Sequence, residues 1–250
     1  MININDFPHG TVLSFLGGSS LMSGFKNYKF FLNRYMGTST MYTNLDKIDL
    51  SKVENLENED FETLVVVDSN DGFILNLPNI VTLKLNNLRY LPHFHQKNEI
   101  VLNLGENLER LNEIIKPYVN GCKTTINSQS TKLNYLSYDF GDGVLEEFYF
   151  NVDSTNLTSV GATYSNRDKL LYHSGFPNIK MSITGYYYDK FPNLTRESYI
   201  SIFNNLYDFV SNNQTPKSNE GKIKLHPNYL TVCTQEDINI ATSKNWVITT

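Results

Sequence analysis

The sequence predicts an α/β chain: short leucine-bearing coils stacked so that their strands make a parallel sheet, closed by a small α/β cap at the C-terminal end. Three observations predict it. Leu64-Val65-Val66-Val67, Leu83-Lys84-Leu85 and Leu102-Asn103-Leu104 are short strand-like runs whose first residues lie 19 apart. A fixed step that short marks a chain of stacked units, none of which can bury its leucines alone. Asparagine makes up about one residue in eight, well above ordinary usage. Its amide suits tight bends and can ladder between stacked coils. The last sixty residues alternate helix and strand signals, each with its own start and stop chemistry.

In chain order, residues 1–45 are rich in Gly, Ser, Phe and Tyr, with Gly17-Gly18-Ser19-Ser20 as a flexible joint. This segment is expected to cap the first coil or to anchor the chain on a partner. Phe7, Phe15, Phe30 and Phe31 are the apolar groups expected to make that contact. Residues 46–190 form the leucine-rich region, which opens with an acidic stretch to Glu62. Leu77 to Leu88 and Ile100 to Leu111 place leucine or isoleucine as a leucine-rich coil requires. Later strands are expected at Lys123 to Ile126, Leu145 to Phe150 and Ile179 to Ile183. The pattern apolar-Pro-Asn-apolar recurs at Leu77–Ile80, Phe176–Ile179 and Phe191–Leu194, where proline is expected to set the entry into a strand. Residues 191–250 form the cap. Thr195 is an N-cap before a helix whose stripe runs Tyr199, Ile202, Phe203, Leu206, Phe209, Val210. Lys222 to Leu225 is a strand. Thr234 and Asp237 make a capping box for a helix from Gln235 to Lys244, Asn245 stops it, and Trp246 to Thr249 is a final strand. Such a cap protects an open sheet edge.

The two coils from Leu77 and Ile100 resemble those of the irregular leucine-rich repeat proteins of gut (Bacteroidales) bacteria and their phages. The ending is similar too: Thr195 to Ile200, Asn204 to Asp208, Lys222 to Leu225 and Gln235 to Trp246. That family usually has glycine where this chain has Asn245; Asn is the next-best residue for a left-handed helix stop. The resemblance implies a leucine-rich-repeat-like solenoid with a parallel sheet and an α/β C-terminal cap. It covers residues 64–250 and carries over no catalytic residue. For phage members it implies a virion component of tail or fibre that binds other virion proteins. The alternatives are a bacterial adhesin or intracellular protein-binding module, and a glycan depolymerase.

Composition narrows the function. With 21 basic against 26 acidic side chains, a net charge of −5, the chain has no basic footprint for nucleic acid. No apolar run is long enough to span a bilayer, so membrane insertion is not expected. The first residues lack a basic segment followed by an apolar core, which points to a virion or cytoplasmic location rather than a conventionally exported cell-surface one. Cys122 and Cys233 are expected to be buried free thiols. His93 and His95 lie on one side of an extended segment but lack a third ligand, unless His173 supplies it. Glu146 and Glu147 are adjacent on a strand and face opposite ways, so they cannot flank one glycosidic bond. Asp139 and Asp142 read as turn residues. No cofactor, metal or catalytic site is expected, and the chain is read as non-enzymatic. The recognition residues expected are Tyr186, Tyr187 and Tyr188 with Tyr149, as aromatic groups able to stack on a host-surface glycan or pack on protein. A homo-oligomer fits the same reading.

Overall fold

Glu99-Ile100-Val101-Leu102-Asn103-Leu104 alternates apolar and polar residues, and an extended chain sends alternate side chains to opposite faces. Ile100 and Leu102 are buried, Val101 and Asn103 half-buried on the other face. Cys122-Lys123-Thr124-Thr125-Ile126 alternates in the same way. The computed structural model describes residues 31–35, 38–43, 47–49, 58–61, 63–67, 73–77, 82–91, 99–117, 122–139, 145–163, 168–185 and 187–250.

The strands are β1 (Phe31–Tyr35), β2 (Thr38–Thr43), β3 (Lys47–Asp49), β4 (Asn58–Phe61), β5 (Thr63–Val67), β6 (Phe73–Leu77), β7 (Thr82–Leu91) and β8 (Glu99–Leu104). There follow β9 (Arg110–Pro117), β10 (Cys122–Ser128), β11 (Tyr135–Asp139), β12 (Leu145–Asn151), β13 (Ser159–Thr163) and β14 (Tyr172–His173). From β7 to β14 every strand pairs in parallel with the strand two places before it. Two sheets result. One runs β1-β2-β5-β7-β9-β11-β13, with β4 also on β7; the other runs β14-β12-β10-β8-β6-β3. Only β1 and β2 pair antiparallel among the strands of these two sheets.

The fold is therefore mixed α/β with parallel sheets and few helices, and it corrects two sequence expectations. Strands β1 to β14 divide between two sheets rather than forming one, and the 19-residue step is not the structural step. Leu64 (β5) and Leu83 (β7) lie on neighbouring parallel strands of one sheet, but Leu64 pairs with Leu88, not Leu83. Leu102 belongs to the other sheet, between Leu75 and Ile126. Residues in register on neighbouring parallel strands are instead 23 to 28 apart. The sequence step mixed strands of both sheets.

Registered rows fill the core. Leu75, Leu102, Ile126 and Phe150 face inward from one sheet, Leu111 and Leu136 from the other, and all six are fully buried. Tight corners join the sheets, and polar groups there satisfy the backbone that the strands leave unpaired. Ser130 Oγ donates to Leu108 O (2.6 Å), Asn134 N to Glu109 O (2.9 Å), Thr158 N to Asn134 O (2.9 Å) and Asn156 Nδ2 to Thr131 O (2.7 Å).

The predicted strand over Ile179 to Ile183 is absent. That stretch makes isolated bridges, Ile179 to Leu206, Met181 to Glu220 and Ile183 to Ile223, which tie it to the C-terminal part. Phe176-Pro177-Asn178-Ile179 is a turn closed by Ile179 N to Phe176 O, with Asn178 at φ 59°; proline sets the turn rather than a strand entry.

The C-terminal elements are α1 (Arg196–Asn205), β15 (Lys222–Lys224), α2 (Tyr229–Val232), α3 (Gln235–Thr242) and β16 (Val247–Thr249); all but the short α2, which has no side-chain cap and was not expected, follow their local signals closely. Thr195 accepts from Ser198 N, Thr234 and Asp237 form the full capping box, and Asn245 adopts φ 69°. β15 and β16 pair in parallel. Helix α1 is shorter than its stripe predicted: it ends at Asn205, because Leu206 bridges to Ile179 and Lys244 Nζ donates to the carbonyls of Phe203, Asn204 and Leu206 (3.0, 2.6 and 3.0 Å). A lysine at that end satisfies orphan carbonyls and complements the helix dipole. Arg196 grips Asp237 through two hydrogen bonds (2.8 and 3.0 Å), joining α1 to α3. The guanidinium and the N-cap donors hold the Asp237 carboxyl well below the usual carboxylate range. One hydrophobic cluster runs from Leu75 to Trp246.

Candidate functional site

The outer face of β8, β10 and β12 carries three registered rows. The first is Glu99, Lys123, Glu147, continued by Tyr172 on β14; the second is Val101, Thr125, Tyr149; the third is Asn103, Asn127, Asn151. The asparagine row begins one strand earlier with Asn76. Its amides form a ladder: Asn103 Nδ2 donates to Asn76 Oδ1 (2.7 Å), Asn127 Nδ2 to Asn103 Oδ1 (2.9 Å), and Asn151 Nδ2 to Asn127 Oδ1 (2.8 Å). All three bonds point the same way, so each amide polarises the next.

The ladder stops at Asn151 for a structural reason. Strand β14 is two residues long, and Gly175 turns the chain away at φ 88°. A Cβ there would lie 2.8 Å from the backbone of Ile202 in α1, so no other residue fits. Helix α1 then closes the sheet edge with polar side chains. Ser198 Oγ accepts from His173 N (2.9 Å) and donates to His173 O (3.0 Å), as a neighbouring strand would; Ser201 Oγ and Asn205 Nδ2 both donate to Ser174 O (2.8 and 2.6 Å).

Beside the ladder, where β8 and β10 run into their corners, lies an open groove of about 590 Å³, lined by Asn103, Asn127, Asn151, Ser128, Gln129 and Glu106 among others. Each amide has two donors and two acceptor lone pairs, and the ladder uses at most one of each. At Asn103, Asn127 and Asn151 the rest of that capacity lies on a half-buried to exposed face.

The expected recognition residues are placed very differently from one another. Tyr187 and Tyr188 are 2% and 1% exposed and belong to the core, so neither presents a surface to a sugar or a partner. Both pack on His173 and Phe176, Tyr187 also on Phe191, and the cluster continues from His173 to Phe148 and from Phe176 to Phe150. Gly175 N donates to His173 Nδ1 (2.8 Å), so the proton of the neutral ring sits on Nε2, 3.0 Å from the Tyr187 hydroxyl. Burial pushes His173 down to about 3, which keeps it neutral. Tyr149 does lie on the outer face. Its ring takes Lys123 Nζ at 4.6 Å from the centroid and Tyr172 at 4.8 Å, and its hydroxyl donates to Glu147 (2.9 Å). Partial burial and that carboxylate push it up to about 12. Phe31 stands in β1, and Phe7, Phe15, Phe30 and Tyr186 lie outside the described residues, as do His93, His95 and Asp142.

Cys122 is buried and Cys233 half-buried; both are free. Burial pushes the Cys122 thiol up to about 12, away from nucleophilic use. Asp139 ends β11 rather than standing in a turn. Among the described residues, no three His, Cys, Asp or Glu side chains are grouped to hold a metal ion, and no helix is long and apolar enough to cross a membrane. The ladder as a site was missed in the sequence, although the excess of asparagine was its signal. No family model matches the chain, and comparison with curated proteins and with solved structures likewise found no match.

Proposed function

We propose that the chain is a non-catalytic structural or adhesive protein, a leucine-rich-repeat-like solenoid that grips its partner along the outer face of β8, β10 and β12. The registered row Asn103-Asn127-Asn151 carries this reading. Identical amides on three successive strands give a regular polar surface whose hydrogen-bonding capacity exceeds its internal use. Parallel strands 23 to 28 residues apart in register support coils longer than the leucine step suggested. The family resemblance then assigns the protein to a phage virion, at the tail or fibre, with residues 1–45 as its attachment to a neighbouring virion protein.

Mass spectrometry of purified particles tests the assignment. The protein is expected at a stoichiometry comparable to other tail components, and particles from a deletion of residues 1–45 are expected to lack it. Its absence from particles overturns the virion reading in favour of a cellular binding module.

A further inference from the structure

Resting on that binding reading, we propose that the groove beside the asparagine ladder is a binding site for a neutral oligosaccharide, recognised through amides rather than through aromatic stacking. The chemistry of the lining selects the class. Among the residues that line the groove, Glu106 alone carries a charge. A phosphate, sulfate or carboxylate ligand requires cationic side chains or clustered backbone donors, and the lining has no Lys or Arg. Asn103, Asn127, Asn151, Ser128 and Gln129 supply amides and a hydroxyl, groups that both donate and accept. A sugar hydroxyl does the same, so a row of such groups can answer a row of hydroxyls one for one.

The spacing fits as well. Ladder residues repeat at the distance between strands, about 4.8 Å, close to the length of one pyranose unit along a chain. An oligosaccharide lying across the strands meets one amide per sugar. A bound peptide would instead seek unpaired backbone at a sheet edge. The groove lies on a sheet face, and the edge at β14 is already closed by Ser198, Ser201 and Asn205. Stacking is excluded at Tyr149, because Lys123 and Tyr172 already engage its ring. At the ladder's end Asn151 is exposed, with its Nδ2 donating to Asn127 and no further asparagine on β14, so its Oδ1 is a terminal acceptor for ligand.

The full chain on a printed array of neutral, sulfated and sialylated glycans tests this, followed by titration with the strongest ligand. Neutral glycans are expected to bind, with affinity nearly independent of salt. Gln129→Ala and Asn151→Ala lie at the groove and outside the core, so both are expected to keep the wild-type melting curve within a degree or two while weakening binding about tenfold. No neutral ligand, binding confined to anionic glycans, or wild-type affinity in both variants overturns the proposal. Failure on the array with the protein still present in particles sinks this site and leaves the virion role standing. Shortening of the bound glycan sinks the non-catalytic reading, while loss of binding in the two variants still assigns the groove.

Discussion

The region from β6 to β14 and the region from Thr195 onward are held together by different means. In the first, stability comes from registered rows: Leu75-Leu102-Ile126-Phe150 inside, Asn76-Asn103-Asn127-Asn151 outside, with each member some two dozen residues from the next. In the second it comes from end chemistry: an N-cap at Thr195, a capping box at Thr234, a left-handed stop at Asn245, and Lys244 over the C-terminus of α1. The first kind of bond is long in sequence and repeats; the second is mostly short and occurs once. Rows tolerate irregular corners between strands, whereas caps fix element ends to the residue.

If the two regions share one core, damage to either must melt both. Phe150 (β12) and Phe209 are each fully buried, the first against Phe148 and Phe176, the second against Tyr207 and Trp246. Truncating either to alanine is expected to cost about 3–5 kcal/mol. Scanning calorimetry should show one transition, lowered in both variants. Two transitions, each moved by only one of the substitutions, would separate the regions into independent units.

Ser198→Ala strikes the junction itself. The substitution strips the donor and the acceptor that close the β14 edge, leaving the buried N–H and C=O of His173 without those partners. A loss of about 2–3 kcal/mol is expected from denaturant midpoints. Ser201→Ala, where Asn205 still serves Ser174 O, should cost less than half of that. Equal effects would mean that the helix covers the sheet by apolar packing alone.

These residues also show what was legible in the sequence and what was not. Thr195, Thr234, Asp237 and Asn245 were read correctly because a cap is a contract among residues three or four apart. The strands from Leu64, Leu83, Leu102, Lys123 and Leu145 were legible because alternation is local as well. Their partners were not. Leu102 looked like the successor of Leu83, but the chain crosses to the other sheet between them, and nothing within a strand says which sheet it joins. The apolar stripe past Asn205 suggested more helix, yet the stop is imposed by Ile179 and Lys244, distant in sequence. Tyr187 and Tyr188 looked like surface aromatics in a strand's wake. They are buried because the chain makes a tight 3-10 turn at Tyr188–Lys190 and folds both rings onto His173, which arrives from β14.

That histidine gives a pH test of the junction. Its value falls from the ordinary 6.5 to about 3 on folding, so the unfolded chain takes up a proton in this range while the folded chain does not. Stability is fully present above about pH 6.5 and is lost as the pH falls toward 3, at a slope approaching about 1.4 kcal/mol per unit. Carboxylates titrate below about pH 5, so histidines carry the slope from about 6.5 to 5, and of the five in the chain a variant lacking His173 isolates its share. His173→Gln should be less stable at pH 7 but flatter than wild type across that window in urea midpoints. Parallel slopes would mean that the ring takes up its proton in the folded state.

The smallest effect is expected in the ladder, and it is the sharpest probe of the rows. Asn127 is central and half-buried, giving one bond and taking one. Asn127→Ala is expected to cost about 1 kcal/mol, and Asn151→Ala, at the exposed end, about 0.5 kcal/mol, because water replaces much of what is lost. Asn127→Asp separates the ladder's direction from its mere polarity. An aspartate oxygen still accepts from Asn151 Nδ2, but toward Asn103 it sets a carboxylate against the carbonyl Oδ1 that now receives a donor. At pH 7 the aspartate variant should therefore be less stable than the alanine variant. Below about pH 4, where the carboxyl regains a proton and with it a donor, the gap should close. A gap that stays constant with pH would mean that the amides stand side by side without a preferred sense, and the rows would then owe their register to the core leucines and phenylalanines alone.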